Sequence, residues 1–212
     1  HTGIASAADA IIIPEIPYDI VKIKDKVKEA LKSEKQYAVV VVAEGAPAPD
    51  GKAVTAITQD FSPDGVKYVS FRGTDDTIVG WKENCELAVK EVVPAQLDAK
   101  AYLEWAAETY DGPIIVCGHS KGGNLAVYAA CTVSEEIQDR ILEVNCYDGP
   151  GFMPAFLETE GYKRMQDKIT AFVPYVSIVG MLLTQVGRLN VIRASDAGAA
   201  GHDGFTWDVF RD

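Results

Sequence analysis

Histidine is scarce in this sequence, with three in 212 residues at His1, His119 and His202. No cluster of histidine with cysteine is present, which argues against a dedicated zinc site, and neither a metal nor a cofactor is expected. The four cysteines, Cys85, Cys117, Cys131 and Cys146, form no C-x-x-C pair. Most of them fall inside apolar segments, which suits buried thiols rather than a disulfide framework, so a reducing, cytoplasmic setting is expected. No N-x-S/T acceptor speaks against that setting. Basic residues are also short, 20 Lys and Arg against 31 Asp and Glu, for a net charge of -11. Phosphate neutralisation needs clustered cations, so a nucleic-acid partner is not expected. The one lysine-rich stretch, Lys22 to Lys35, is interleaved with Asp25, Glu29 and Glu34 and reads as a solvated helix face. No run approaches the ~18 to 20 apolar residues of a membrane span, so a soluble chain without integral membrane association is expected. The apolar start, Ile4 to Ile13, has no basic residue before it and contains Asp9, against a signal peptide.

What is present is enough apolar material for one sizeable core. At 48% hydrophobic residues, a single domain over 1–212 is expected. Ile20 to Ser33 has helical spacing, with Ile20, Val21, Ile23, Val27, Ala30 and Leu31 on one stripe. The β-branched run Tyr37 to Glu44, then Ala53 to Asp60, then Val66 to Arg72 after the turn Pro63-Asp64-Gly65, read as consecutive strands. Helices are expected over Val79 to Val92 and Ala95 to Glu108, a strand over Ile114 to Cys117 and a helix over Gly123 to Val133. Strands follow at Ile141 to Tyr147, Ile169 to Val173 and Leu189 to Ser195, with a helical stretch near Pro154 to Asp167. Strands alternating with helices predict an α/β fold with a mostly parallel twisted sheet and helices on both faces.

Chemistry enters at Gly118-His119-Ser120-Lys121-Gly122, a G-x-S-x-G pattern set between an apolar strand and an apolar helix. A serine at a tight strand-to-helix turn needs a strained backbone, and the flanking glycines let neighbouring chain pass close. The context favours a nucleophile over a solvated turn serine. A second segment, Phe71-Arg72-Gly73-Thr74-Asp75-Asp76, directly follows a predicted strand, and Gly80-Trp81-Lys82-Glu83 lies shortly after.

At these residues the chain resembles class 3 lipases, whose F-R-G-[S/T] loop supplies part of an oxyanion hole. With Tyr147-Asp148-Gly149-Pro150-Gly151, Ser177-Ile178-Val179-Gly180, and His202-Asp203 with Trp207, the stretch from about Gln36 to Asp212 is similar to an uncharacterised bacterial family of α/β-hydrolases resembling those lipases. The resemblance implies an α/β-hydrolase fold and a lipase- or esterase-like serine hydrolase working through an acyl-enzyme. It also implies an oxyanion hole from the N–H groups of Thr74 and Lys121; Arg72 and Asp75 are read, apart from the resemblance, as a structural ion pair bracing that loop.

In such enzymes the chain order is nucleophile, acid, base, and His202 is the one histidine after Ser120. His119, on the elbow, is expected to point elsewhere and pack. Class 3 lipases carry the acid after the penultimate strand, yet Pro174 to Gly187 holds no Asp or Glu and Ser177 stands at that place. Asp148, one strand earlier, is the favoured acid, with Asp196 and Asp203 as alternatives and Asp203 also readable as a helix cap. Residues 150–167 read either as a small cap or as core. Phe152, Met153, Ile178 and Val179 are candidate substrate-pocket residues for a small-molecule ester or lipid-like substrate. A catalytically silent hydrolase-fold binding protein and a thioesterase or peptidase remain the alternatives.

Overall fold

The computed structural model describes residues 10–12, 22–23, 25–26, 28–29, 40–42, 56–59, 65–73, 87, 90–198 and 200–208. The chain divides into two compact units, His1–Thr55 and Ala56–Asp212. In the first, β1 (Ala10–Ile12) pairs in parallel with β2 (Val40–Val42), Ala10 opposite Val40. Residues 22–23, 25–26 and 28–29 between them are helical, with Lys22, Asp25, Lys26, Lys28 and Glu29 exposed and Ile23 half-buried. That matches the solvated helix face read from the charges.

The second unit carries a sheet of six strands in the order β3-β4-β5-β6-β7-β8. These are β3 (Ala56–Gln59), β4 (Lys67–Phe71), β5 (Ile114–His119), β6 (Ile141–Tyr147), β7 (Ile169–Pro174) and β8 (Arg188–Ile192). β3 joins β4 antiparallel, and Gly65, at φ 76°, supplies the left-handed turn conformation between them. From β4 onward every pairing is parallel. The α/β class expected from the alternation is therefore observed. The three consecutive strands read from sequence are present as β2, β3 and β4, though β2 pairs with β1. A β-branched run reports strand propensity and does not name its partner.

The helices of this unit are α1 (Pro94–Thr109), α2 (Lys121–Thr132), α3 (Glu135–Arg140), α4 (Pro154–Leu157) and α5 (Glu160–Met165). Every residue of α2 from Lys121 to Cys131 is buried. Its small side chains let it lie close on the sheet, against Ile114, Val116, Val144, Cys146 and Ala171, with Leu103 and Ala106 of α1 and Met165 of α5 completing one core. Burial at about 25 cal/mol per Å² of apolar surface makes this helix the chief anchor of the segment that follows Ser120. The helical stretch expected over Pro154 to Asp167 is broken into α4, α5 and a 3-10 turn at Gln166–Lys168. Phe152 stacks on Phe156 with ring centroids 4.1 Å apart, and Phe152, Tyr162 and Met165 are buried. The expected helix over Val79 to Val92 lies mostly outside the described residues.

Candidate active site

β5 passes into α2 with Ser120 as the single residue between them, at φ 58° and ψ -133°. A non-glycine residue in this region stores strain, and the surrounding contacts must hold it there. The Ser120 N–H donates to the Tyr147 carbonyl at 2.9 Å, and the Gly123 N–H donates to the Ser120 carbonyl at 2.9 Å. A Cβ at Gly122 would run into the Phe71 carbonyl oxygen and stand 2.7 Å from that of Arg72, while one at Gly118 would run into the Gly122 carbonyl. Glycine at these positions is what lets the end of β4 lie on the elbow. Gly73 arrives there too: its Cβ position is 3.2 Å from the Ser120 Cβ. The next residue, Thr74, lies outside the described residues. Lys121 opens α2 and is 7% exposed.

Asp148 and His202 come from separate parts of the chain, Asp148 directly after β6 and His202 in the 3-10 turn Ala200–His202 beyond β8. Asp148 follows β6 in a left-handed conformation, φ 48°, with its N–H donating to the Phe172 carbonyl at 2.8 Å. Its side chain is fully buried, and Oδ2 lies 2.6 Å from His202 Nδ1. An Nδ1–H donated to this carboxylate leaves His202 Nε2 as the free acceptor of the imidazole. The hydroxyl of Ser177 donates to the same Oδ2 at 2.7 Å. Oδ1 has no hydrogen-bond partner among the described residues. The other two aspartates considered are occupied differently: Asp203 Oδ1 accepts from the Phe205 N–H at 3.0 Å as a cap, and Asp196 Oδ2 accepts from the Ser195 hydroxyl at 3.1 Å.

The segment carrying His202 is pinned by two ring donors on successive carbonyls. Trp207 Nε1–H donates to the Gly201 carbonyl at 2.9 Å, and His119 Nε2 is 2.8 Å from the His202 carbonyl. A carbonyl only accepts, so the His119 proton sits on Nε2. The His119 ring also lies against that of His202, centroids 4.6 Å apart. His119, expected to point elsewhere and pack, instead packs against His202 and so links the turn at Ser120 to the histidine loop. Burial, and then the neighbouring charge of His202, lower its pKa below the ordinary histidine value.

Sequence reasoning also missed a buried polar brace. Gln96 Oε1 accepts from the Val93 N–H at the start of α1, and its Nε2 donates to Asn124 Oδ1 at 2.8 Å. Asn124 Nδ2 in turn donates to the carbonyls of Pro150 and Gly151, at 3.1 and 3.0 Å. A polar residue one turn after Ser120 in an otherwise apolar helix was the available signal. This brace fixes the chain just past Asp148.

Of the four pocket candidates, Phe152 and Met153 line a cavity of about 290 Å³, with Leu87, Val92, Tyr128 and Phe156 among its other walls. Ile178 and Val179 are not among its lining residues; Ile178 is exposed and Val179 half-buried. Among the described residues no group of His, Cys, Asp and Glu could hold a metal ion, and no helix is long and apolar enough to cross a membrane.

A family model described as Mbeg1-like matches residues 38–212. Short stretches are similar to ATP-dependent 6-phosphofructokinase 2 of Clostridium perfringens, 52% identical over 67 residues, which is 32% of this chain and 18% of that protein. A further match, to the ATP-dependent 6-phosphofructokinase of Lactobacillus gasseri, is 49% identical over 45 residues, 21% of this chain and 14% of that one. The chain thus spans less than a fifth of the length of these curated relatives. Among solved structures, the native Rhizomucor miehei lipase propeptide complex aligns with a TM-score of 0.42 at 19% identity, covering 59% of this chain and 46% of that one.

Proposed function

The chain belongs to the Mbeg1-like family, and from that premise we propose that it is a serine hydrolase of the α/β-hydrolase fold that cleaves ester-like bonds through an acyl-enzyme intermediate. The observation that carries the reading is the 2.6 Å contact between His202 Nδ1 and the buried Asp148, taken together with a serine held in a strained strand-to-helix turn. Strain of this kind is retained where it positions a reacting group.

In the proposed reaction, His202 Nε2 accepts the Ser120 hydroxyl proton as Oγ bonds to the substrate carbonyl carbon. The negative charge that develops on the carbonyl oxygen faces the N–H of Lys121, at the positive end of α2, and the N–H of Thr74. One such donor is worth about 3 kcal/mol of barrier. Collapse of the intermediate breaks the bond to the leaving oxygen, which takes the proton from His202. Water then attacks the acyl group with His202 again accepting its proton, and Ser120 is regenerated as the acid product leaves. Asp148 keeps the imidazole in the Nδ1–H tautomer and stabilises the imidazolium.

An apolar acyl group fits the surroundings. The segment after β7 exposes Tyr175, Val176, Ile178, Met181 and Leu182 while its Ser177 contacts Asp148. The acidic net charge of -11 favours a neutral small-molecule ester over an anionic bilayer. A reducing compartment belongs to the same proposal: Cys117, Cys131 and Cys146 are free, and burial pushes the thiols of Cys131 and Cys146 up to about 12, which keeps them unreactive.

The test is hydrolysis of p-nitrophenyl esters of graded acyl length, with Ser120→Ala as control. Turnover by the native protein that is lost in Ser120→Ala is expected. Equal rates from both proteins across the series would refute the assignment.

A further inference from the structure

Ser177 is 1% exposed, has no contact with substrate in the mechanism above, and stands 29 positions along the chain from Asp148, yet its hydroxyl bonds the acid directly. The direction of that bond is fixed. The Gly180 N–H donates to Ser177 Oγ at 3.0 Å, so the hydroxyl's accepting side is used and its proton goes to Asp148 Oδ2. Oδ2 therefore receives donors from Ser177 and His202 together, at 2.7 and 2.6 Å, while Oδ1 has none among the described residues. Gly180 closes the other side of the carboxylate: a Cβ there would overlap Oδ1. A fully buried carboxylate with one satisfied oxygen depends on each donor it has, because no bulk water replaces a lost bond. The serine's own backbone is anchored, its N–H donating to the Pro174 carbonyl at the end of β7 at 3.0 Å.

From this geometry we propose that Ser177 is a positioning residue for the acid: with the Gly180 amide behind it, its hydroxyl holds Asp148 Oδ2 against His202 Nδ1. The inference rests on the serine-hydrolase reading, and it assigns a role to the residue standing where an acid was expected. β7 then serves the site by supplying the donor that makes an acid at the end of β6 workable. Among the described residues, removing the hydroxyl leaves the carboxylate with His202 as its remaining hydrogen-bond donor and free to turn about its last torsion. The imidazole then loses the fixed carboxylate that orients its Nδ1–H.

The experiment compares the native full chain with Ser177→Ala and Ser177→Thr by two readouts. In ester hydrolysis, Ser177→Ala is expected to lower kcat by about 10- to 100-fold with KM little changed, the size of one hydrogen bond to a buried charge. The acid limb of its kcat/KM profile shifts from that of the native protein, and Ser177→Thr restores most of both. In proton NMR, the His202 Nδ1–H resonance of the native protein shifts in Ser177→Ala and returns in Ser177→Thr. The resonance needs no turnover, so it tests the positioning role even if every ester proves inert and the hydrolase reading fails. An unshifted acid limb and an unshifted resonance in folded Ser177→Ala overturn the proposal, whatever happens to kcat. Should that variant not fold, Ser177→Cys, a weaker donor in the same slot, must move both readouts away from the native values; no movement there overturns it as well.

Discussion

Asp148 combines a left-handed backbone at φ 48° with complete burial and contacts on Oδ2 from two side chains. Its exchange for asparagine keeps the shape but presents an amide to His202, which then has no anion to orient it or to stabilise the imidazolium. Asp148→Asn is expected to lower kcat by about 10³- to 10⁴-fold with little change in KM, measured on any ester the native protein hydrolyses. His119 makes a different prediction, in stability. Its pKa is lowered in the fold, by burial first, so the unfolded chain binds the proton more readily. Stability tied to neutral His119 is therefore present above the unfolded value of about 6.5 and lost as pH falls below it. His119→Gln, which retains an N–H for the His202 carbonyl, should show a shallower acid loss of melting temperature than the native protein. Parallel curves would contradict it. At this scale the sequence was legible where the rule is local: glycines around a serine can be read from five adjacent residues. The His119 and Ser177 contacts were not, because each bridges residues distant in the chain, 83 apart for His119 and His202, and no spacing reveals such a meeting.

The elements that set the site are β5, β6 and β7 with α2, and all were visible as apolar runs between breakers, β6 to the residue. β1 was not, since three residues of strand inside a longer apolar start carry no period. The split of 154–168 into short helices was also hidden, because α4 ends at Leu157 and Thr159 caps α5 by accepting from the Tyr162 N–H, a local choice of backbone that apolar spacing does not report. Two substitutions test how elements are joined. Gly122→Ala forces a methyl into the Phe71 carbonyl and so separates β4 from the elbow; it should cost more than about 2 kcal/mol in urea unfolding and abolish turnover. Asn124→Leu keeps the volume but strips partners from Gln96 Nε2 and from the carbonyls of Pro150 and Gly151. A loss of roughly 2 to 4 kcal/mol is expected by the same measurement. A loss under about 0.5 kcal/mol would mean the brace is not what fixes the chain after Asp148.

For the whole molecule, all the residues assigned to catalysis fall in the unit Ala56–Asp212. The single-domain reading of 1–212 predicts one cooperative calorimetric transition, whereas two resolved transitions would divide the chain between residues 55 and 56. The class of fold was legible because strand and helix periods alternate through most of the chain, and the likeness to lipases pointed to the same serine. The sequence favoured Asp148 with Asp196 and Asp203 as alternatives, and the contact of its buried side chain with His202 is what sets Asp148 apart from the other two. The central claim, that Ser120 is an activated nucleophile, is tested most directly by reacting the intact protein with a fluorophosphonate probe and mapping the adduct by peptide mass spectrometry. One stoichiometric adduct on Ser120 is expected, absent in Ser120→Ala and slowed strongly in His202→Ala. Labelling of Ser120→Ala equal to that of the native protein, or no adduct on the native protein at all, would contradict it.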